Sequence, residues 1–329
     1  MANYVQLESS SAGLAYQTLL TTSHMAMLSS GMVHDNVFNA TPTWKWFNSK
    51  GRIKLVDGGE RLTDAILYGK NGTAGWYSGY GLLNVTPQEG VTRIALKWAQ
   101  AAVSVVYSGL ELRSNAGKAK ITDLVKTKQA QAESSLIDLL ATGLFSDGSV
   151  TNQMTGLAAM HETTPGTASY ASVPIANTVW VNQAQATAGA AATNLLTYLR
   201  QIYNKCSQGK GNNASEPDGI VTTRAVIEAY EALHAPLLRY ASAKKGDIGF
   251  RDFAFKGAEM FWDAYCTSGE THFLNSASQS LCVHPAANLA LTPFQSPADQ
   301  PDGFIGSIIW QGQPITNNRR KSGKITGLT

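Results

Sequence analysis

Between Gly51 and Leu144 a long Gly-rich hairpin pattern passes through two alternating segments into one uninterrupted amphipathic helix, and that order restricts the possible folds more than any other feature of the chain. Gly51 to Leu67 reads as an outbound extended arm. Gly69, Gly72, Gly75, Gly79 and Gly81 crowd the turn, and Val91 starts the return. Arms of roughly 15 residues would reach some 50 Å at about 3.3 Å per residue. A lone two-stranded hairpin is marginal in water, so an arm of this length requires another surface, in the same molecule or in a copy of it.

On the return, Ile94, Leu96 and Trp98 alternate with Arg93, Ala95 and Lys97, the period of a strand with one buried face. Val103, Val105 and Tyr107 alternate with the opposite parity. A one-residue shift exchanges the faces of a strand, which predicts a bulge or bend across Gln100, Ala101 and Ala102. The helix then spans about Ala116 to Leu144, capped by Asn115 and stopped near Gly143. At 100° per residue, Ile121, Val125, Ala132, Leu136, Leu139 and Leu140 form one apolar stripe. Lys118 and Lys120 fall in its first turns, where the helix dipole disfavours cations; the readings are a solvated basic face or a neighbouring group that sets the charge there.

Charged residues make up only 15% of the 329 residues, against 43% hydrophobic, and none occurs from Thr163 to Leu199. Soluble domains usually carry about 25% charged residues. A charge-poor surface fits one that neighbours cover, the alternative being a neutral polar surface facing water. Thr, Ser, Asn and Gln interrupt the uncharged run, and no stretch of about 18 apolar residues exists, so no membrane span is expected. Met1 to Ser11 has neither a basic nor an apolar leader region, which points to synthesis in the cytoplasm. Cys206, Cys266 and Cys282 have unrelated spacings and read as reduced thiols. The Asn-x-Ser/Thr triplets at Asn39, Asn71, Asn84 and Asn213 follow from a composition rich in Asn and Thr. A formal net charge of +3 is too small to mark a nucleic-acid binder.

Elsewhere the pattern is mixed. Trp44, Trp46 and Phe47 read as the anchor of a Ser/Thr/Met-rich N-terminal arm. Helices are expected over about Ala190 to Cys206 and Thr223 to Ala235, and strands at Gly219 to Thr222, Phe273 to Leu274 and Ser280 to Val283. A last strand pair, Ile305 to Trp310 and Gln313 to Ile315, is expected to turn at Gly312.

Site motifs mostly fail on inspection. His161 and Glu162 begin a zinc-helix pattern, but Pro165 stands where the second histidine belongs. Gly209, Gly211 and Ala214 match a dinucleotide-loop spacing but follow a helix and precede a strand, the reverse of the required context. Cys266, His272, Cys282 and His284 match no compact zinc module; buried apolar cysteines beside a satisfied histidine account for them better. The basic tail Arg319, Arg320, Lys321 and Lys324 lacks interleaved aromatics. It reads as a solvated charge run, with phosphate contact the alternative.

Several phrases in this order resemble the major capsid proteins of tailed bacteriophages, the group with the HK97-type shell fold. These are "VVYSGLELRSNAGKAKITDLVKTKQAQAESSLIDLLATGLFSDGS" (Val105 to Ser149), "PDGIVTTRAVIEAYEALHAPLLRY" (Pro217 to Tyr240), "THFLNSASQSLCVHP" (Thr271 to Pro285) and "GSIIWQGQPITNNRRKSGKITGL" near the C-terminus. The resemblance implies an α+β fold with an N-arm over 1–48 and an extended β-hairpin loop over 49–100. It further implies a peripheral domain with a long spine helix over 101–147, a mixed axial domain over 148–290, and C-terminal strands over 291–329 that return to the peripheral domain.

By the same resemblance the chain is a non-enzymatic head protein of the virion, synthesised in the host cytoplasm. It would assemble as pentamers and hexamers into an icosahedral shell around double-stranded DNA, held by nonspecific contact. A separate scaffolding protein, a portal and a decoration protein are the implied partners. The family has no catalytic residues, cofactor or metal to carry over. Some members join subunits covalently between lysine and asparagine; Lys70 and Asn71 are of those types, but no motif identifies partners and no cross-link is predicted. Lys70, Trp76 and Tyr77 at the loop tip are the candidate intersubunit contacts, an ordinary hairpin-tip cluster being the alternative. An encapsulin-like compartment around protein cargo, and a soluble hydrolase, are the competing functions.

Overall fold

The computed structural model describes residues 41–67, 69–114, 124–167, 169–173, 180–189, 191–207, 216–238, 253–297, 299 and 302–328. The expected N-arm up to residue 40, the helix start with Asn115, Lys118, Lys120 and Ile121, and the Gly209 loop lie outside these residues. The described residues divide into two compact units: one holds those of Ala101–Leu139 and Ala287–Trp310, the other those of Asn39–Gln100, Leu140–Ala286 and Gln311–Thr329.

In chain order the larger unit begins with helix α1 (Pro42–Ser49), strands β1 (Ile53–Leu55), β2 (Arg61–Leu67) and β3 (Val91–Lys97), and the start of β4 (Ala99–Ser108). Pro42 occupies the first turn of α1, where its missing N–H costs nothing. Trp46 and Phe47 are buried, and the Thr43 N–H and hydroxyl donate to Asp263 Oδ2 at 3.2 and 2.6 Å. The aromatic anchor read from the sequence is therefore a helix pinned at its N-terminus.

The smaller unit takes up the rest of β4, α2 (Gly109–Ser114) and most of α3 (Leu124–Leu144). Here Arg113 makes a two-pronged ion pair with Asp302, at 2.9 and 2.8 Å, and Tyr107 packs against Phe294 and Phe304. Buried positions along α3 step by four, at Ala132, Leu136, Leu140 and Leu144. Four residues turn 400°, so the buried stripe drifts by about 40° per step. That drift leaves Leu139 outside the stripe at 53% exposure, correcting its expected burial.

The main core of the larger unit is a six-stranded sheet. After α4 (Leu157–Met160) come β5 (Gln183–Gly189), α5 (Ala191–Cys206), β6 (Gly219–Thr222), α6 (Arg224–Leu238), β7 (Phe253–Phe255), β8 (Ala258–Trp262), β9 (Thr271–Leu274), β10 (Gln279–Val283), β11 (Ala290–Leu291), β12 (Gly303–Thr316) and β13 (Gly323–Leu328). The sheet order is β5-β13-β9-β6-β8-β7. Every residue of β6 and β9 is buried, as central strands covered on both faces require. Leu195, Leu199, Ile202 and Tyr203 repeat at helical spacing along α5 and pack with Val226, Ile227 and Tyr230 of α6 in one core with Ile220, Phe273 and Ile325.

A Cβ on Gly219 would lie 2.6 Å from the Trp46 ring. Gly219→Ala is expected to destabilise the subunit by about 1–3 kcal/mol through overpacking, read as a lower urea midpoint of the unassembled chain.

In the larger unit β10 pairs in parallel with β1 and antiparallel with residues 312–316 of β12, and in the smaller unit β11 pairs antiparallel with Ile308 and Ile309 of β12. Two expectations change here. Ile305 to Ile315 is not a hairpin turning at Gly312: β12 is one strand of 14 residues, and Gly312 sits in register with Val283. With both flanks paired to straight neighbours, the glycine has no turn to make. The C-terminal segment also divides between sheets, since β13 pairs with β5 and β9 in the six-stranded sheet. Among the described residues no helix is long and apolar enough to cross a membrane.

Candidate functional site

The Gly-rich hairpin is shorter at its base than its pattern implies. Only β2 and β3 pair with each other, seven residues on each side from Arg61↔Lys97 to Leu67↔Val91, or about 23 Å. Residues 53–55 instead run parallel to β10, with Ile53 opposite Leu281. Gly58 and Gly59 separate the two strands at φ +69° and +91°, backbone angles that L side chains avoid. The expected 15-residue arms are thus a short extra strand, a kink, a seven-residue ladder and a long loop.

Alternation on the ladder behaves as the sequence pattern requires. Leu62, Ile66, Ile94 and Leu96 are buried, while Arg61, Thr63, Ala65 and Leu67 face outward. The Ala95 N–H donates to Ala171 O at 2.9 Å, and the Trp98 indole N–H to Gly59 O at 2.8 Å. Parity changes at Trp98, between β3 and β4, with Ala99, Val105 and Tyr107 buried beyond it. The break is therefore two residues earlier than Gln100 to Ala102, at the residue whose side chain is tied back to the kink.

Beyond Leu67 and Val91 the loop has almost no core. Trp76, Tyr80 and Leu82 are fully exposed, and Leu67, Tyr77, Leu83, Val85 and Val91 are exposed with them. Lys70 is also exposed. Single exposed hydrophobics are ordinary, but six large ones on one loop, with Leu67 and Val91 at its base, form an apolar patch beyond that ordinary scatter. What shape the loop has comes from local turns. Asn71 Oδ1 accepts the Thr73 N–H at 2.9 Å and its hydroxyl at 2.6 Å, and Asn84 accepts the same two groups of Thr86. Two of the Asn-x-Thr triplets dismissed as composition are thus side-chain clasps that stand in for backbone turns. The segment pairs polar self-closure with apolar exposure.

Residues that looked like site motifs lie in the interior of the larger unit. Gln279 Nε2 donates to His161 Nε2 at 2.9 Å, His161 Nδ1 meets His272 Nδ1 at 3.2 Å, and His272 Nε2 faces Glu270 Oε2 at 3.4 Å. This assignment runs the N–H groups in one direction, from the amide through both rings toward the carboxylate; reversing the Gln279 amide would leave a bare ring nitrogen facing Glu270. Lys324 reaches Glu270 at 2.7 Å.

Beside this chain, Arg319 donates to Met160 O, Ala159 O and Glu162 Oε1 and lies over the Tyr170 ring. The expected solvated basic tail is therefore half interior: Arg319 is 2% and Lys324 4% exposed on their side chains, Lys321 is half-buried, and of the four only Arg320 is exposed. Ion pairing to Glu162 and Glu270 makes the burial tolerable. All three cysteines are buried and free, and burial raises each thiol above its ordinary range. His284 is half-buried against Trp98.

Burial pushes His161 well below and His272 below the ordinary imidazole value of 6.5, the neighbouring cations Lys324 and, for His161, Arg319 adding to the effect. For His272 the facing Glu270 carboxylate opposes the shift without reversing it. Burial drives Glu270 upward, but the His272 ring and the Lys324 ammonium outweigh it and hold the carboxyl below its usual range. Both rings are neutral in the folded subunit, whereas an unfolded chain protonates them near 6.5. This contribution to stability is complete above 6.5 and falls as pH drops below it, by at most about 1.4 kcal/mol per pH unit for each ring. Urea titrations of the unassembled chain between pH 7.5 and 5, above the carboxylate range, should show this slope, and a flat profile would contradict the neutral pair.

No known family model matches the sequence, and no curated protein matches it. Solved structures do. The capsid asymmetric unit of cyanophage A-1(L) superposes with a TM-score of 0.70 at 15% identity, covering 95% of this chain and 99% of its own. The capsid of Myoviridae phage XM1 gives 0.56 at 12%, covering 91% and 95%. The SrpI encapsulin complex of Synechococcus elongatus gives 0.52 at 10%, covering 90% and 96%. At such identities the likeness concerns the fold, and it runs the length of the chain: the α+β architecture is that of HK97-type capsid proteins.

Proposed function

We propose that this chain, which has the HK97-type fold, is the major capsid protein of a tailed bacteriophage. Copies assemble as pentamers and hexamers into an icosahedral shell around double-stranded DNA. One observation carries the reading: a loop of more than twenty residues displays six large apolar side chains, with Leu67 and Val91 exposed at its base, and none of these is buried. In a lone soluble protein that surface costs solubility; in a shell it lies over the adjacent copy. Lys70, Trp76 and Tyr77 are the proposed contacts at its tip. The uncharged strand β5, which among the described residues pairs only with β13, supports coverage by neighbours as well.

A structural role also accounts for His161, Glu162, Cys266 and His272, which are buried groups with neighbours to satisfy. The proposed location is the virion after synthesis in the host cytoplasm, with a scaffolding protein, portal and decoration protein as further partners. The fold likeness to an encapsulin gives the second reading, a shell around protein cargo. Expressing the chain with and without its phage's scaffolding protein, followed by electron microscopy, tests both. Closed shells or capsomer rings support the assignment, nuclease-resistant DNA in infection-derived particles supports the viral reading, and co-purified protein cargo supports the compartment. A compact monomer at high concentration that ignores scaffold would overturn both.

A further inference from the structure

Asn71 and Gly72 are the only Asn-Gly pair in the sequence, and they stand at the beginning of the exposed loop. The side-chain amide of an asparagine can be attacked by the backbone nitrogen of the next residue. That nitrogen bonds to Cγ, ammonia leaves, and a five-membered succinimide results. Water then opens the ring at either carbonyl, leaving aspartate or, with the backbone rerouted through Cγ, isoaspartate. The overall balance is asparagine plus water giving the acid plus ammonia, with no other reactant.

Three local features favour this step at Asn71. Gly72 presents no side chain to obstruct closure and leaves the backbone free to turn. Both residues are exposed and outside any strand, and among the described residues nothing accepts the Gly72 N–H that must be given up. The Asn71 carbonyl oxygen already receives the Thr73 N–H at 2.9 Å and the Thr73 hydroxyl at 2.6 Å. Negative charge gathers on that oxygen when Cγ becomes tetrahedral, and two donors aimed at it act as an oxyanion hole does.

The same loop contains its own control. Asn84 is clasped by Thr86 through the same pair of donors, but the next residue is Val85, whose branched Cβ crowds the attacking nitrogen. We propose that Asn71 is a self-modifying site, converting through a succinimide with Gly72 to aspartate and isoaspartate while the loop is open to water. The product places a carboxylate beside Lys70 and cancels the single positive charge there. Where the loop is covered as the proposed shell requires, closure of the ring is suppressed; this second statement rests on that reading, whereas the first does not.

Purified full-length chain, kept folded and unassembled at neutral and at mildly alkaline pH and sampled over time, provides the test by peptide mass spectrometry. The peptide carrying Asn71 should gain about 1 Da, faster with alkalinity, at a rate at least about tenfold above that of Asn84, equivalent to about 1.4 kcal/mol in barrier. Gly72→Val should bring Asn71 down to the Asn84 rate, and Val85→Gly should raise Asn84 toward the Asn71 rate. A Cβ at position 72 meets only the end of the Gln88 side chain, at 3.3 Å, so the first variant retains the loop. Equal rates at the two asparagines, or an Asn71 that stays intact over the time in which urea-unfolded chain converts, would overturn the proposal. Assembled particles, if they form, should convert more slowly than free subunits, and their failure to form would leave the free-chain result standing.

Discussion

Replacing Trp76, Tyr77 and Tyr80 together by serine should leave the subunit folded and abolish particle formation. All three rings are exposed in the isolated chain, so their loss removes no packing from the subunit, and its unfolding midpoint should move by no more than about 0.5 kcal/mol. In a contact between copies the same rings are worth far more. A buried aromatic hides about 150–250 Å², or about 4–6 kcal/mol at 25 cal/mol per Å² before the costs of ordering the loop are set against it. Truncating a ring at the centre of an interface typically costs about 2–4 kcal/mol. Each subunit brings one loop, and the deficit recurs at every copy in a shell. Sedimentation of wild-type and variant chains under assembling conditions provides the comparison. Particles of normal size from the triple variant would show that the rings are ornamental to assembly, and unfolded variant would place the loop in the core.

Arg319→Ala should be the most damaging change in the basic tail, at about 3–5 kcal/mol, because it leaves the buried Glu162 carboxylate without its cation. The guanidinium also satisfies the carbonyls of Met160 and Ala159, and each would lose a buried donor. Arg320→Ala, one residue on, should change stability by no more than about 0.5 kcal/mol, since its side chain is outside. Urea denaturation of the unassembled chains, followed by a probe in the larger unit, distinguishes the two. Arg319→Met with Glu162→Met should recover much of the loss, as apolar replacement of both ions removes the stranded charge. Equal effects at 319 and 320 would mean that the tail is a solvated run after all.

Those two expectations bear differently on what the sequence discloses. The long loop between β2 and β3 was legible, because glycine spacing is a local signal. Helix α5 and strands β6, β9 and β10 were legible too, through periodicity and turn residues. Paired strand length was not: Gly58 and Gly59 could have been part of any Gly-rich arm, and nothing nearby indicates that residues 53–55 have their partner at 281–283. Burial of Arg319 was hidden for the same reason. Its carboxylate partner is 157 residues away, and a run of Arg, Arg and Lys reads as solvated until distant chain closes over part of it. The Asn-x-Thr clasps at Asn71 and Asn84 are visible as letters, but the same triplet pattern arises from an Asn- and Thr-rich composition, and only the side-chain geometry distinguishes them. Leu139 was misplaced because a stripe drawn at one width ignores the drift that a four-residue step produces.

Accessibility of Trp76 in the free subunit and in the assembled particle tests the central claim most directly. Hydroxyl-radical footprinting with mass spectrometry reads it ring by ring, with buried Trp46 as the internal reference. The account predicts strong labelling of Trp76, Tyr77 and Tyr80 in free subunits and near-complete protection in particles, with Trp46 protected in both. Equal labelling of Trp76 in the two states would contradict it, for the loop would then face water whether or not a neighbour is present.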